Sequence, residues 1–271
     1  MSLFEELIED KEEDEKIVKS FKTRNSLSKD IFESDGDEFL VHTDVRKKLL
    51  QIADKFMDSL DVDFFIHDII LTGSLANYGW SEYSDIDLHI LIDFKETDYD
   101  INLVKEFFDA KKDIWNNTHN IKIKNYDVEI YVQDVDEKHV SSGVYSILHN
   151  KWLIEPERTN PNIDDSLILK KGEEFVKQID KLESDLDDGK DVYEGLRKVK
   201  HKLKKLRQSG LERGGEYSYE NLTFKLLRRN GYIKKLMDLK NRTIDKKLSI
   251  QSLQTLFFSF YLCIYRIRII I

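Results

Sequence analysis

Two aspartates at Asp85 and Asp87, and a Gly73-Ser74 pair just before them, are the residues of this chain whose types and spacing could do chemistry. The apolar run Ile69-Ile70-Leu71 reads as a buried strand ending in that small-residue turn. A short loop follows, and then a second strand carries the two carboxylates. Side chains alternate along a strand, so Asp85 and Asp87 project from one face while Ile86 and Leu88 project from the other. Carboxylates held that close raise one another's pKa and repel unless a cation neutralises them. Their hard oxygens suit Mg²⁺ or Mn²⁺, and Mg²⁺ keeps several waters and is commonly completed by substrate phosphates. The turn offers the complementary half. Gly73 lets backbone approach closely, and the Gly73 and Ser74 amides with the Ser74 hydroxyl can donate to phosphate oxygens.

The elements that must position these groups follow from periodicity. Val45, Leu49, Ile52, Ala53, Phe56 and Leu60 recur at spacings of three and four, which predicts a helix from about Asp44 to Leu60, capped by Thr43 or Asp44. After the aspartate strand, Thr97 or Asp98 can cap a helix with Ile101, Val104, Phe107, Phe108 and Ile114 on its apolar face. The stretch Ile121 to Asp134 then reads as a strand, with Val128, Ile130 and Val132 on one face and Asp127, Glu129 and Tyr131 on the other. Residues Gly143 to Ile154 read as a hairpin, or as a last strand and its turn, around His149-Asn150-Lys151. The order is helix, strand, strand, helix, strand.

The strand leading to Gly73-Ser74, followed by Ser84-Asp85-Ile86-Asp87 with Asp85 11 positions after Ser74, resembles the nucleotidyltransferase superfamily that includes DNA polymerase beta, CCA-adding enzymes and antibiotic adenylyltransferases. The common pattern has a glycine four residues after the serine. Here that position is Tyr78 and the glycine is Gly79. The resemblance implies a third metal-binding carboxylate on a later strand beside the Asp-x-Asp strand. Glu129, between β-formers in mid-strand, is the favoured candidate and Asp127 the alternative. It also implies that Asp85, Asp87 and the third acid hold the metal, that Gly73 and Ser74 cradle the β- and γ-phosphates, and that a nucleoside triphosphate, ATP first, is the substrate. The implied reaction moves a nucleoside monophosphate to a hydroxyl acceptor, which could be an RNA such as tRNA, a nucleotide, a small molecule or a protein. A catalytically degenerate nucleotide-, RNA- or protein-binding module of the same fold is the alternative.

Composition sets the frame. The chain has 271 residues, 40% of them apolar, enough for a real core in one or two domains. Two prolines and 11 glycines favour long helices with short turns, and a single cysteine, Cys263, excludes an internal disulfide framework and fits a reducing cytoplasm. The acidic start Met1 to Glu6 is unlike a secretory leader. The seven histidines show no H-E-x-x-H or Cys/His spacing, and no Walker or Rossmann glycine loop is present. The fold class expected is α+β, a mixed-sheet nucleotidyltransferase domain followed by a helical bundle. Its parts are an acidic, loosely held segment at 1–40, the catalytic domain at 41–158, a helical domain at 159–250 and an apolar tail at 251–271. That tail, interrupted by Arg266 and Arg268, falls short of the about 20 apolar residues a membrane span needs.

In the helical half, Phe175, Ile179, Leu182 and Leu186 mark one helix. Leu196, Val199, Leu203 and Leu206 mark a second ending near Gly210, and Leu222, Leu226, Ile233 and Leu236 mark a third for which Ser218 is the cap. Net charge is −9 overall, yet Lys190 to Lys247 holds 18 basic against 7 acidic residues, which leaves the remainder near −20. Such asymmetry points to a polyanion facing the basic part. Lys225, Arg228 and Arg229 share a helix face, and the superfamily resemblance, in which a bundle after the catalytic domain completes the nucleotide cleft, implies that they are candidate phosphate contacts. His89, on the Asp85 and Asp87 face, could touch a phosphate or acceptor, although packing at the strand edge is the plainer reading. Trp80 and Tyr83 could stack on a base or close a cleft. Tyr131-Val132-Gln133-Asp134, the run Ser141 to Ser146 and the helix Asn221 to Tyr232 also resemble uncharacterised nucleotidyltransferase-like proteins of tailed bacteriophages.

Overall fold

Ile86, Leu88 and Ile90 alternate with Asp87, His89 and Leu91, and this period of two builds the central strand of a mixed six-stranded sheet. The computed structural model describes residues 3–36, 38–60, 62–97, 99–137 and 141–249, with side chains described from Lys11 onward. The apolar tail at 251–271 lies outside the described residues. The chain is α+β and divides into two compact units, Met1–Asp165 and Ser166–Ile271. The division falls where a helix begins at Asp165, beyond Pro156 and Pro161.

The first unit contains α1 (Leu3–Lys19), β1 (Phe32–Asp35), β2 (Glu38–Val41), α2 (Thr43–Asp58), β3 (Asp68–Thr72), β4 (Ile86–Ile92), α3 (Ile101–Thr118), β5 (Lys122–Ile123), β6 (Tyr126–Asp134), β7 (Val144–Ser146) and β8 (Lys151–Ile154). Sheet order is β5-β6-β4-β3-β7-β8, and β1 pairs with β2 separately. Among the described residues only β4 and β6 pair in parallel, a geometry that needs a crossover, and α3 supplies it. On one face Ile69, Leu71, Leu88, Val128 and Ile130 pack with Val45, Leu49 and Phe56 of α2 and with Val104 and Phe108 of α3. Each such large side chain contributes roughly 1.5–3 kcal/mol when fully buried. The opposite face carries Thr72, Asp87 and Glu129 in register across β3, β4 and β6.

Several local expectations are corrected. Ile121 to Asp134 is a hairpin: Lys124 (φ 50) and Asn125 (φ 73) both take left-handed backbone, the geometry of a two-residue turn whose twist matches its strands. Beyond that short hairpin the outer edge of β6 is covered by Asn116 of α3, which donates to the Ile130 carbonyl at 2.9 Å and accepts from its amide at 3.0 Å. Thr43 is the first residue of α2, after His42, and Asp44 sits in its first turn. Asp100, not Thr97, caps α3 by accepting from the Asn102 and Leu103 amides, while Asp98 lies outside the described residues. Ile101 and Ile114 are exposed. The segment expected to be loose before Leu40 instead buries Ile17, Val18, Phe21, Leu27 and Ile31.

The second unit contains α4 (Asp165–Asp187), α5 (Tyr193–Gly214), α6 (Tyr219–Arg229) and α7 (Tyr232–Leu248) around Phe175, Ile179, Leu196, Leu203, Leu227, Leu236 and Leu239. Ser218 caps α6 as expected, by accepting from the Asn221 amide. The second predicted helix runs on through Gly210, because a Cβ there would stand 2.7 Å from Glu220 Cβ and Ser218 Oγ: this glycine admits a neighbour and does not end the helix. The third predicted helix is two helices, broken at Gly231, which takes φ 82. Among the described residues no helix is long and apolar enough to cross a membrane.

Candidate metal and phosphate site

β3 ends in the Gly73 turn, and a short 3₁₀ turn covers Ser74–Ala76. Gly73 has φ 75, and a Cβ on it would lie 1.9 Å from Asp87 Oδ2. Both the backbone conformation and the space therefore demand glycine. The absent side chain is the gap into which the Asp87 carboxylate fits. Asp87 pairs with Thr72 on one side and Glu129 on the other, and Asp85 stands just before β4. Asp85, Asp87 and Glu129 each offer a carboxylate oxygen, and these oxygens lie within 4.8 Å of one another. The structure brings Glu129, not Asp127, into this group. Asp127 is exposed and forms an ion pair with Lys122 at 3.1 Å.

Glu129 is held by a neighbour on its own strand face: the Tyr131 hydroxyl donates to Glu129 Oε2 at 2.5 Å. Burial first, and then the charges of Asp87, Glu129 and Asp85, push the Tyr131 phenol well above its ordinary pKa, so it remains a donor. His89 stacks on Tyr131 with ring centroids 4.8 Å apart. The His89 Nδ1 lies 2.8 Å from Gln133 Oε1, and the Gln133 amide donates to the Glu137 carbonyl at 3.1 Å. With the amide assigned that way, His89 carries its proton on Nδ1. The Lys112 ammonium lies over the Tyr131 ring, 5.0 Å from its centroid.

The loop between the turn and the aspartates is fixed from within and from outside. Buried Ser84 shares a 2.8 Å hydrogen bond with Ser74 Oγ and accepts from the Ser81 amide at 3.0 Å. Asn77 accepts from the Gly79 amide at 2.6 Å and donates to Ser142 Oγ at 3.0 Å, so the displaced glycine belongs to a local turn built on Asn77. From the N-terminal segment the Arg24 amide donates to the Tyr78 carbonyl at 2.7 Å, and the Arg24 guanidinium lies 5.1 Å from the Trp80 ring centroid. The Trp80 indole donates to the Ser26 carbonyl at 2.8 Å, and the Tyr83 hydroxyl to Glu13 at 2.9 Å. Both loop aromatics are thus used in packing the N-terminal segment.

Lys225, Arg228 and Arg229 lie on α6 of the second unit, Arg228 exposed and the other two half-buried. Sequence reasoning gave Tyr131 no role, although period-two alternation placed it beside Glu129. It gave no role to Ser84 beyond its place in the motif. It also missed a second group: His67, just before β3, with Asp93 and Glu96, just after β4, offers one ligand atom each within 4.8 Å. That group sits at the opposite end of the same two strands. No family model, no curated protein and no solved structure matches the chain.

Proposed function

We propose that the chain is a divalent-metal-dependent nucleotidyltransferase. The observation that carries the reading is the convergence of Asp85, Asp87 and Glu129 within 4.8 Å, beside a glycine turn shaped to admit the Asp87 carboxylate. Three hard oxygen donors fit Mg²⁺ or Mn²⁺ and do not fit a soft metal. Asp85, Asp87 and Glu129 would hold the cation, which when bound offsets phosphate charge and lowers the pKa of an acceptor hydroxyl.

The chain's own residues orient the substrate. The Gly73 and Ser74 amides and the Ser74 hydroxyl donate to the β- and γ-phosphates of a nucleoside triphosphate, with Ser84 holding the Ser74 hydroxyl in place. The Tyr131 hydroxyl holds the Glu129 carboxylate in the group it forms with Asp85 and Asp87. The acceptor oxygen forms a bond to the α-phosphorus as the bond from that phosphorus to the β-phosphate oxygen breaks. Pyrophosphate leaves, and the acceptor proton passes to solvent.

Isothermal titration checks the reading: ATP binding depends on Mg²⁺, and Asp85→Asn with Asp87→Asn abolishes it. Metal-dependent binding that survives in that variant refutes the assignment. With α-labelled and γ-labelled ATP, label retained on an acceptor from the α position alone identifies nucleotidyl transfer.

A further inference from the structure

In the second unit, α4 and α7 use their charges against one another. Lys235 meets Asp180 and Glu183 at 2.7 Å each, Arg242 meets Asp187 at 2.8 Å, and on α4 itself Lys177 pairs with Glu173 at 2.7 Å. The helix α5 is built otherwise. It buries Leu196, Val199 and Leu203, and it exposes Lys198, Lys200, Lys202, Lys204 and Lys205. Among the described residues no carboxylate forms an ion pair with any of these five, and the Lys202 ammonium meets only the neutral Gln178 side chain, at 3.4 Å.

Their spacing sharpens the contrast. Lys198 and Lys202, and Lys200 and Lys204, stand four apart, while Lys202 and Lys205 stand three apart, so like charges adjoin along the helix surface. Like charges at those spacings work against a helix. A face that merely needs solvation avoids this by mixing signs, as α4 does. General basicity does not account for it either, because the whole chain carries −9. From Lys198 to Lys205 the helix rises roughly 10 Å, about the rise of three nucleotides at 3.4 Å each along one strand.

We propose that the exposed face of α5 binds the phosphodiester backbone of a nucleic acid through Lys198, Lys200, Lys202, Lys204 and Lys205. Lysine ammoniums are compact point charges on flexible stems, so the contact reads phosphate and leaves base sequence unread. The surface goes beyond the metal-site reading and stands without it.

The test is fluorescence anisotropy of the full chain with a labelled single-stranded RNA and, in a second arm, a DNA duplex. It is run in EDTA without triphosphate over a salt series starting at about 50 mM. The three phosphates that this rise spans on a single strand give log K against log salt a slope of about −2. Replacing Lys198, Lys200, Lys204 and Lys205 together by Ala brings the slope near −1 and weakens low-salt binding at least about tenfold. Alanine favours the helix, so circular dichroism should show an equal or higher melting temperature. The Asp85→Asn, Asp87→Asn variant should bind as the unaltered chain does, which separates failure of this surface from failure of the metal site. Tighter binding in either arm names RNA or duplex DNA as the source of the phosphates. The proposal is overturned if the unaltered chain binds neither, if the four-alanine variant keeps affinity and slope, or if poly-glutamate binds as tightly as RNA, which would point to an acidic protein.

Discussion

Two groups of three donors bracket the same pair of strands: Asp85, Asp87 and Glu129 at one end of β3 and β4, His67, Asp93 and Glu96 at the other. By distance alone they are equivalent. Their surroundings are not. In the second group each side chain has an ordinary task. His67 Nε2 lies 3.2 Å from Glu96, Asp93 accepts from the Lys95 amide at the start of a 3₁₀ turn, and the Glu96 side chain is 61% exposed. In the first group the fold accepts a left-handed Gly73 and gives up a Cβ so that Asp87 can approach, and it supplies a tyrosine hydroxyl to Glu129. Strain and exclusion that local structure does not require point to a ligand better than donor proximity does.

The contrast is most easily broken at Gly73. Gly73→Ala places a Cβ where Asp87 Oδ2 now lies, and it forces a side chain into φ 75. Left-handed strain alone costs about 1–3 kcal/mol, and the carboxylate must swing away besides. Mn²⁺ affinity, read by electron paramagnetic resonance, should fall at least about 100-fold, equivalent to about 2.7 kcal/mol, with a lower urea midpoint. An alanine variant that binds Mn²⁺ normally would show that the close approach serves only packing.

Next in size is the metal-induced change in melting. At about 100 times the dissociation constant, Mg²⁺ should stabilise the chain by about 2.7 kcal/mol. Asp85→Asn with Asp87→Asn removes that gain, whereas His67→Ala with Glu96→Gln retains it. The reverse pattern in differential scanning calorimetry would transfer the metal to the other end of the strands.

Much of this was legible in the sequence. Alternation around Ile86, Leu88 and Ile90 gave the strand and the shared face of Asp85 and Asp87, and the three-and-four spacing of Val45, Leu49, Ile52 and Phe56 gave α2. What was not legible depended on tertiary pairing. Whether Glu129 or Asp127 joins the aspartates depends on the parallel register that sets Asp87 beside Glu129, which spacing along one strand does not encode. The turn at Lys124-Asn125 was hidden because left-handed conformers there come from residues other than glycine. His67 and Glu96 are 29 positions apart and meet only because β3 and β4 are antiparallel.

Tyr131 sharpens the comparison on a finer scale. Tyr131→Phe keeps the ring that stacks on His89 and removes the hydroxyl that holds Glu129. Groups that orient metal ligands typically affect affinity by 10–100-fold. Here about tenfold weaker Mn²⁺ binding is expected, or about 1.4 kcal/mol. In a double-mutant cycle with Glu129→Gln the two effects should not add, because both act on the same carboxylate. Full additivity would mean that Tyr131 acts elsewhere.

The smallest effect is expected at the other end. Glu96→Gln removes the carboxylate that His67 faces, but that carboxylate lies largely in water, where an exposed pair contributes only about 0–1 kcal/mol. Unfolding free energy should therefore move by less than about 0.5 kcal/mol, and Mn²⁺ affinity should not move at all. A large loss of stability, or a loss of metal affinity, would mean that His67, Asp93 and Glu96 act as a unit. Ordinary local tasks would then no longer separate a surface group from a site.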